Sequence, residues 1–229
     1  MTGTVALIPV KELPLAKARL APALHATARR ELALAFFHDV LTAAMACTDI
    51  DGVTVVSRDP HVVTVSGALG ASWLSEPGDL NETLMSAASD LRLRGIERVA
   101  VLSSDLPLAT TDAISRLVQH GGDVVLVPSR DGGTNALVCP TGAIPLSYGP
   151  DSAKKHVDAA QAAGLGVELL DEPVLALDID SPEDIGRLLA AIAGGAKAGA
   201  HTLAALARLG LVDEEMNSID SSKDDATLP

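Results

Sequence analysis

The sequence predicts an α/β sandwich with a mixed, mostly parallel sheet, and three observations carry that reading. Short apolar runs rich in Val, Ile and Leu recur with helical patterns between them, as suits strands buried on both faces of a sheet covered by helices. The alternation persists over most of the chain, the mark of sheet and helix layers around a shared core. It breaks once: the runs at 123–128 and 135–140 are separated only by Ser129-Arg130-Asp131-Gly132-Gly133-Thr134. No crossover helix fits in that gap, so these two strands must pair antiparallel or diverge across a cleft.

Taken in order, strands are expected at 4–10, 53–57, 98–103, 123–128, 135–140, 167–170 and 174–179. Helices are expected at about 27–47, 80–94, 111–119, 152–163, 182–193 and 199–209. The first helix has Thr27 as candidate N-cap, with Glu31 following in its first turns, a favourable start because the cap side chain satisfies an orphan amide. Gly78-Asp79-Leu80-Asn81-Glu82-Thr83 reads as the next helix start, and Ser152 is a candidate cap further on. Ser181-Pro182-Glu183-Asp184 combines a cap, a proline at the first helical position and acids in the first turn, a strong helix start. After Gly194-Gly195 the chain turns Ala-rich. Residues 1–212 are expected to form the domain. Residues 213–229, with six acids and one lysine, are expected to be a disordered acidic tail.

Composition narrows the partners. The chain has 229 residues, 48% hydrophobic and 21% charged, enough for one large globular domain with a full core. Its net charge is −13 with a pI of about 4.7, which argues against nucleic acid or an anionic membrane surface as partner, since both reward a basic face. Trp73, Tyr148, Phe36 and Phe37 are its only aromatics, too few for a base-stacking platform. Cys47 and Cys139 match neither a disulfide scaffold nor a zinc spacing, the start lacks a basic and apolar leader, and no apolar run approaches the ~18 residues that span a bilayer. A cytoplasmic protein is expected. Against the acidic background, residues 1–30 carry a net +4, a local anion site.

Three groups of residues could carry chemistry. Neither a Walker-type loop nor a G-x-G-x-x-G follows the first strand. Instead Lys11, Lys17 and Arg19 crowd the loop after it, at the carboxyl end of a strand where α/β proteins bind ligands and where cations neutralise a polyphosphate. Asp105 follows the run at 98–103, and Asp178 and Asp180 stand at the carboxyl end of the last expected strand; carboxylates so placed suit a hard cation such as Mg²⁺, although Asp180 or Ser181 also serves as a helix cap. Asp131-Gly132-Gly133-Thr134-Asn135 and Tyr148-Gly149-Pro150-Asp151-Ser152 offer glycines for close backbone approach and Thr134 and Ser152 as hydrogen-bond donors to an anion. Lys154, Lys155 and His156 are expected to add positive charge there, and Asn81 to touch a nucleotide. His25, His38, His61, His120 and His201 lack metal spacing and read as structural or surface residues. An aspartyl-nucleophile reading of Asp178-Ile179-Asp180 is weak, because that motif normally follows a first strand.

In these segments, from Pro9-Val10-Lys11 and Ala16-Lys17-Ala18-Arg19-Leu20 through Ser103-Ser104-Asp105-Leu106-Pro107 and the Asp131, Gly149 and Asp178 motifs, the chain resembles the guanylyltransferases of coenzyme F-420 biosynthesis. They activate phosphoenolpyruvate or 2-phospho-L-lactate with GTP. The resemblance covers about residues 4–193. It implies a single three-layer α/β/α sandwich of the GT-A-like nucleotidyltransferase kind. It further implies that Lys11, Lys17, Arg19 and Asn81 meet GTP, that Asp105, Asp178 and Asp180 hold Mg²⁺, and that Thr134, Gly149 and Ser152 bind a small phosphorylated carboxylic acid; Lys17, Arg19 and Asp105 would be catalytic. Ala18 stands where the family more often has Ser, and the loop at 10–16 lacks the Gly-rich turn of sugar-nucleotide pyrophosphorylases. A substrate phosphate with a second pKa of about 6 is already ionised at neutral pH, so no general base is required, and the task is alignment and charge compensation. Phosphoenolpyruvate is the expected acceptor, with 2-phospho-L-lactate and 3-phospho-D-glycerate as alternatives, and a monomer or homodimer is expected. Further alternatives are transfer to a sugar phosphate or molybdenum cofactor, and a non-catalytic nucleotide-binding regulatory domain.

Overall fold

The computed structural model describes residues 3–76 and 78–213; apart from Asp213, the expected acidic tail lies outside them. Seven strands form one sheet: β1 (Thr4–Pro9), β2 (Gly52–Val56), β3 (Ser72–Leu74), β4 (Arg98–Leu102), β5 (Val124–Pro128), β6 (Thr134–Pro140) and β7 (Val167–Leu169), in the order β3-β2-β1-β4-β6-β5-β7. Only β6 runs against its neighbours, pairing antiparallel with both β4 and β5. The short 129–133 connection therefore does form a hairpin.

One irregularity interrupts that hairpin. Val127 faces Ala136, but the next partners are Pro128 and Thr134, so β6 spends two residues where β5 spends one. Asn135 is the extra residue of a bulge, which shifts the inward and outward alternation of a strand. Beyond it, Ala136 and Val138 enter one core cluster while Leu137 and Cys139 enter the other.

Helices cover both faces. α1 (Ala26–Met45), α2 (Pro60–Ala68), α4 (Thr111–Gln119) and the short α6 (Pro173–Ala176) supply one face, and α3 (Leu80–Leu93) and α5 (Ser152–Ala162) the other. α7 (Pro182–Ala193) and α8 (Ala200–Arg208) pack on the outer side of α1. The neighbouring Phe36 and Phe37 divide between these clusters, Phe37 toward the sheet and Phe36 toward α7 and α8. α1 is thus apolar on two sides, which is why it is rich in Ala, Leu and Phe with little polar face.

Four sequence expectations need correction. The run at 174–179 is no strand: Pro173 starts α6 with its fixed φ, Leu175 fills the sheet-facing core, and Ile179 goes to the outer cluster. α2 and β3 were not anticipated; α2 is capped by Asp59, whose carboxylate accepts from the His61 and Val62 amides. α1 begins earlier than expected, with His25 rather than Thr27 as cap, its Nδ1 accepting from the Ala28 amide at 3.2 Å. Ser152 is the first residue inside α5, and the capping position is Asp151 at φ 56.

Candidate active site

A cleft of about 780 Å³ opens where β1 and β4 end and β6 begins. Because β6 is reversed, its first residues reach the edge where the parallel strands finish. The loop after β1 is pinned before it enters the cleft: Leu13 and Leu20 are fully buried in different core clusters, and the Leu13 amide donates to Asp59 at 2.9 Å. Between these anchors Lys17 adopts the left-handed region at φ 55, a conformation that costs a non-glycine residue energy and is held by its surroundings.

Those surroundings are carboxylates. The Lys17 ammonium, 8% exposed, is ion-paired with Asp105 and, at 3.1 Å, with Asp180. Burial opposes its charge, but the two carboxylates outweigh it and hold its pKa above the ordinary lysine value. Arg19 is exposed, its guanidinium 3.8 Å from Asp131 and 3.9 Å from Asp180. Lys11 lies exposed on the cleft wall. The three cations expected of this loop thus all line the cleft, with Lys17 at its floor.

Asp105, Asp178 and Asp180 each present an oxygen within 4.8 Å of the others. Asp178 is pushed up to about 6 by burial and then by the charge of Asp105, against a bond from Asn135 that favours its ionised form. Three convergent carboxylates, one of them raised, form an acceptor-only set whose mutual repulsion a hard divalent cation would relieve, and Lys17 already places a cation among them. The residues therefore fit Mg²⁺.

Neighbours that had no assigned role from sequence fix this set. Asn135, the bulged residue, is buried and donates to the Leu175 carbonyl at 3.1 Å and to Asp178 at 3.3 Å. The Asp184 carboxylate accepts from the Asp180 and Ser181 amides at 3.1 and 2.8 Å, the signal for which was the capping pattern Ser181-Pro182-Glu183-Asp184. Asp131 is held low, chiefly by the Ser129 hydroxyl at 2.5 Å, with the Gly133 amide and Arg19 adding to it.

The same cleft is lined by Thr134, Gly149 and Ser152, which the structure brings together. Gly149 has φ +121, a region glycine tolerates, and a side chain there would meet no atom within 4 Å. Ser152 donates to the Thr134 hydroxyl at 3.1 Å. Asn81 also lines the cleft, but its amide is engaged at both ends by Tyr148, donating to the carbonyl at 3.1 Å and accepting from the amide at 2.8 Å. It braces the 148–149 turn. His156, expected to add positive charge, is instead fully buried, and burial with the neighbouring Lys155 charge lowers it to about 4. It is neutral at physiological pH. Lys154 points away into an ion pair with Asp158.

Among the described residues no helix is long and apolar enough to cross a membrane. In overall shape the chain is similar to a protein of Desulfovibrio desulfuricans described as a nucleotide-diphospho-sugar transferase, with a TM-score of 0.75 at 19% identity over 92% of this chain and 96% of that one. It is also similar to a nucleotidyl transferase of Methanothermobacter thermautotrophicus, with a TM-score of 0.60 at 14% identity over 82% and 96%. These likenesses support the three-layer nucleotidyltransferase-like fold. In sequence it is 39% identical to a phosphoenolpyruvate guanylyltransferase of Conexibacter woesei over 90% of this chain and 96% of that protein. It is 36% identical to a 2-phospho-L-lactate guanylyltransferase of Methanothermobacter thermautotrophicus over 81% and 84%. The family described as Guanylyl transferase CofC like matches residues 4–218, and the chain, an enzyme of nucleotidyl transfer, belongs to that family.

Proposed function

We propose that this protein transfers GMP from GTP to phosphoenolpyruvate in coenzyme F-420 biosynthesis, forming enolpyruvyl-diphospho-guanosine and releasing pyrophosphate. One observation carries the reading: a single cleft is lined by cations and a carboxylate trio together with a glycine and two hydroxyl-bearing residues. Such a cleft accommodates a triphosphate with its cation beside a small anionic acceptor.

A phosphate oxygen of the acceptor attacks the α-phosphorus of GTP, the bond from that phosphorus to the bridging oxygen breaks, and the electron pair leaves with pyrophosphate. No proton has to be removed from the nucleophile, because a phosphate with a second pKa of about 6 is already ionised at neutral pH. Asp105, Asp178 and Asp180 would hold Mg²⁺, which when bound supplies charge neutralisation of the phosphates. Lys17 compensates negative charge at the cleft floor, and Arg19 and Lys11 draw the triphosphate to the mouth. Thr134, Ser152 and the open backbone at Gly149 seat the acceptor, whose orientation decides whether its phosphate stands in line with the bond that breaks.

Phosphoenolpyruvate, 2-phospho-L-lactate and 3-phospho-D-glycerate all carry a carboxylate near a phosphate, and the relatives' names include the first two as acceptors. The test is pyrophosphate release from GTP with each of the three acids singly and in competition, the adducts being distinguished by mass. Phosphoenolpyruvate is expected to dominate the product; release with none of the three would overturn the reading.

A further inference from the structure

His156 is the one histidine buried beside the cleft, and both of its ring nitrogens are committed. The Ser147 amide donates to Nε2 at 3.0 Å, and Nδ1 lies 3.0 Å from the Thr134 hydroxyl. The Tyr148 ring packs edge-on against the imidazole with centroids 5.1 Å apart. A backbone N–H can only donate, so Nε2 must be bare and a neutral ring carries its hydrogen on Nδ1. An imidazolium would set two N–H groups against each other at Ser147, and burial disfavours it further.

Hydrogens can then be counted through the hydroxyls. The Thr134 oxygen accepts from His156 Nδ1–H and from the Ser152 hydroxyl, which uses both of its lone pairs. Its own hydrogen is left over, and no acceptor among the described residues takes it. Thr134 and Ser152 both line the cleft. A bare Nδ1 would take up one of the two hydroxyl hydrogens as an acceptor; a donor at Nδ1 leaves one of them over.

We propose that His156 is a positioning residue: held as the Nδ1–H tautomer by the Ser147 amide, it commits the Thr134 oxygen as an acceptor and so leaves one hydroxyl hydrogen for the anionic group of the phosphorylated acid. The inference rests on the proposed acceptor side of the cleft. It assigns to a buried neutral ring, which reaches the cleft through the Thr134 hydroxyl, control over how well the acceptor is bound while GTP is untouched. The low pKa of about 4 agrees with a ring that stays neutral through the working range.

Two variants separate this role from mere support of the 147–148 backbone. His156→Asn restores a donor near the Nδ1 position, whereas His156→Gln restores an acceptor near Nε2. With folding checked by thermal melting, the acceptor KM is expected to rise about tenfold in His156→Gln and to stay within about threefold of wild type in His156→Asn, the loss of one oriented bond to an anion. The KM for GTP should hold within about twofold in both, since the triphosphate wall is not touched. A larger effect in His156→Asn, equal effects in both, or a parallel rise in the GTP KM would overturn the positioning role. Should the variants not fold, the ¹⁵N spectrum of wild-type protein decides: His156 must appear as the Nδ1–H tautomer at pH 7, and an Nε2–H or doubly protonated ring would sink the proposal. Wild-type enzyme that releases no pyrophosphate with any phospho-acid would instead remove the proposed function, and the acceptor role of His156 with it.

Discussion

The ammonium of Lys17 is paired with the carboxylate of Asp105, 88 positions further along the chain. The pair joins the loop after β1 to the end of β4, and Asp180 extends it to the segment before α7. A buried lysine in a left-handed conformation is stable here because two carboxylates compensate for its lost hydration.

Replacing that lysine with an uncharged residue of similar length, Lys17→Met, leaves the three carboxylates with only the exposed Arg19, beside Asp180, as a nearby cation. The melting temperature should fall by several degrees, about 2–4 °C for each kcal/mol in a chain of this size. Added Mg²⁺ should recover more stability in the variant than in wild type, as a calorimetric scan with and without the ion would show.

Asp105→Asn keeps the size of the side chain but removes its charge from both the lysine and the carboxylate set. Pyrophosphate release should drop by at least about a hundredfold, as when an electrostatic partner of a transferring group is lost. Continuous pyrophosphate detection checks it, with far-UV circular dichroism to confirm the fold.

Asn135→Ala removes the donor to Asp178 and leaves the buried Leu175 carbonyl without its side-chain partner. The cost should be about 1–3 kcal/mol, read as a lower urea midpoint at unchanged slope. The Mg²⁺ concentration for half-maximal activity should rise, because Asp178 loses the bond that favours its ionised form.

Gly149→Ala tests conformation separately from space, since φ is +121 and a methyl group would meet nothing within 4 Å. The strain should cost about 1–3 kcal/mol. Steady-state kinetics should show a raised acceptor KM with little change for GTP.

The pH dependence of stability carries two opposed contributions. His156 titrates at about 4 in the native state against an ordinary 6.5, so the unfolded chain binds a proton first and native stability falls as pH drops from 6.5 toward 4, by on the order of 3 kcal/mol for this group. Asp178, raised to about 6 from 3.8, acts with the other sign: the native state takes the proton first, and stability from this group is lost as pH rises through the same window. The difference between wild type and His156→Gln isolates the first effect. Denaturation at pH 7 and pH 5 should show wild type losing more stability than the variant.

The sheet was legible where a short-range signal decided it. Six residues between two apolar runs leave no room for a crossover, which limited β5 and β6 to antiparallel pairing or divergence, and the structure has the first; Ser181-Pro182 announced α7. β3 is three residues long and tied to its neighbourhood by the Trp73 indole donating to the Ser57 carbonyl at 2.6 Å, too little pattern to see in a sequence. The run at 174–179 is apolar because it bridges two core clusters, and periodicity cannot tell that from a strand. In the site, the carboxylates could be placed because each follows an apolar run, but the pairing of Lys17 with them is a long-range contact. His156 was misread because Lys154 and Lys155 precede it. The signal was its spacing: Ser152, His156 and Ala160 recur every four residues along the buried stripe of α5.

The extra residue in β6 sets a phase. A regular strand would send Thr134 to the side where Ala136 lies and Asn135 to the opposite side; with the phase advanced by one, Asn135 serves Asp178 and its immediate neighbour Thr134 serves His156 and Ser152. Two adjacent positions are thereby addressed to the carboxylate trio and to the hydroxyl pair. Their sides of the sheet are fixed by the bulge, so a register without it would exchange the two addresses while leaving both side chains chemically intact.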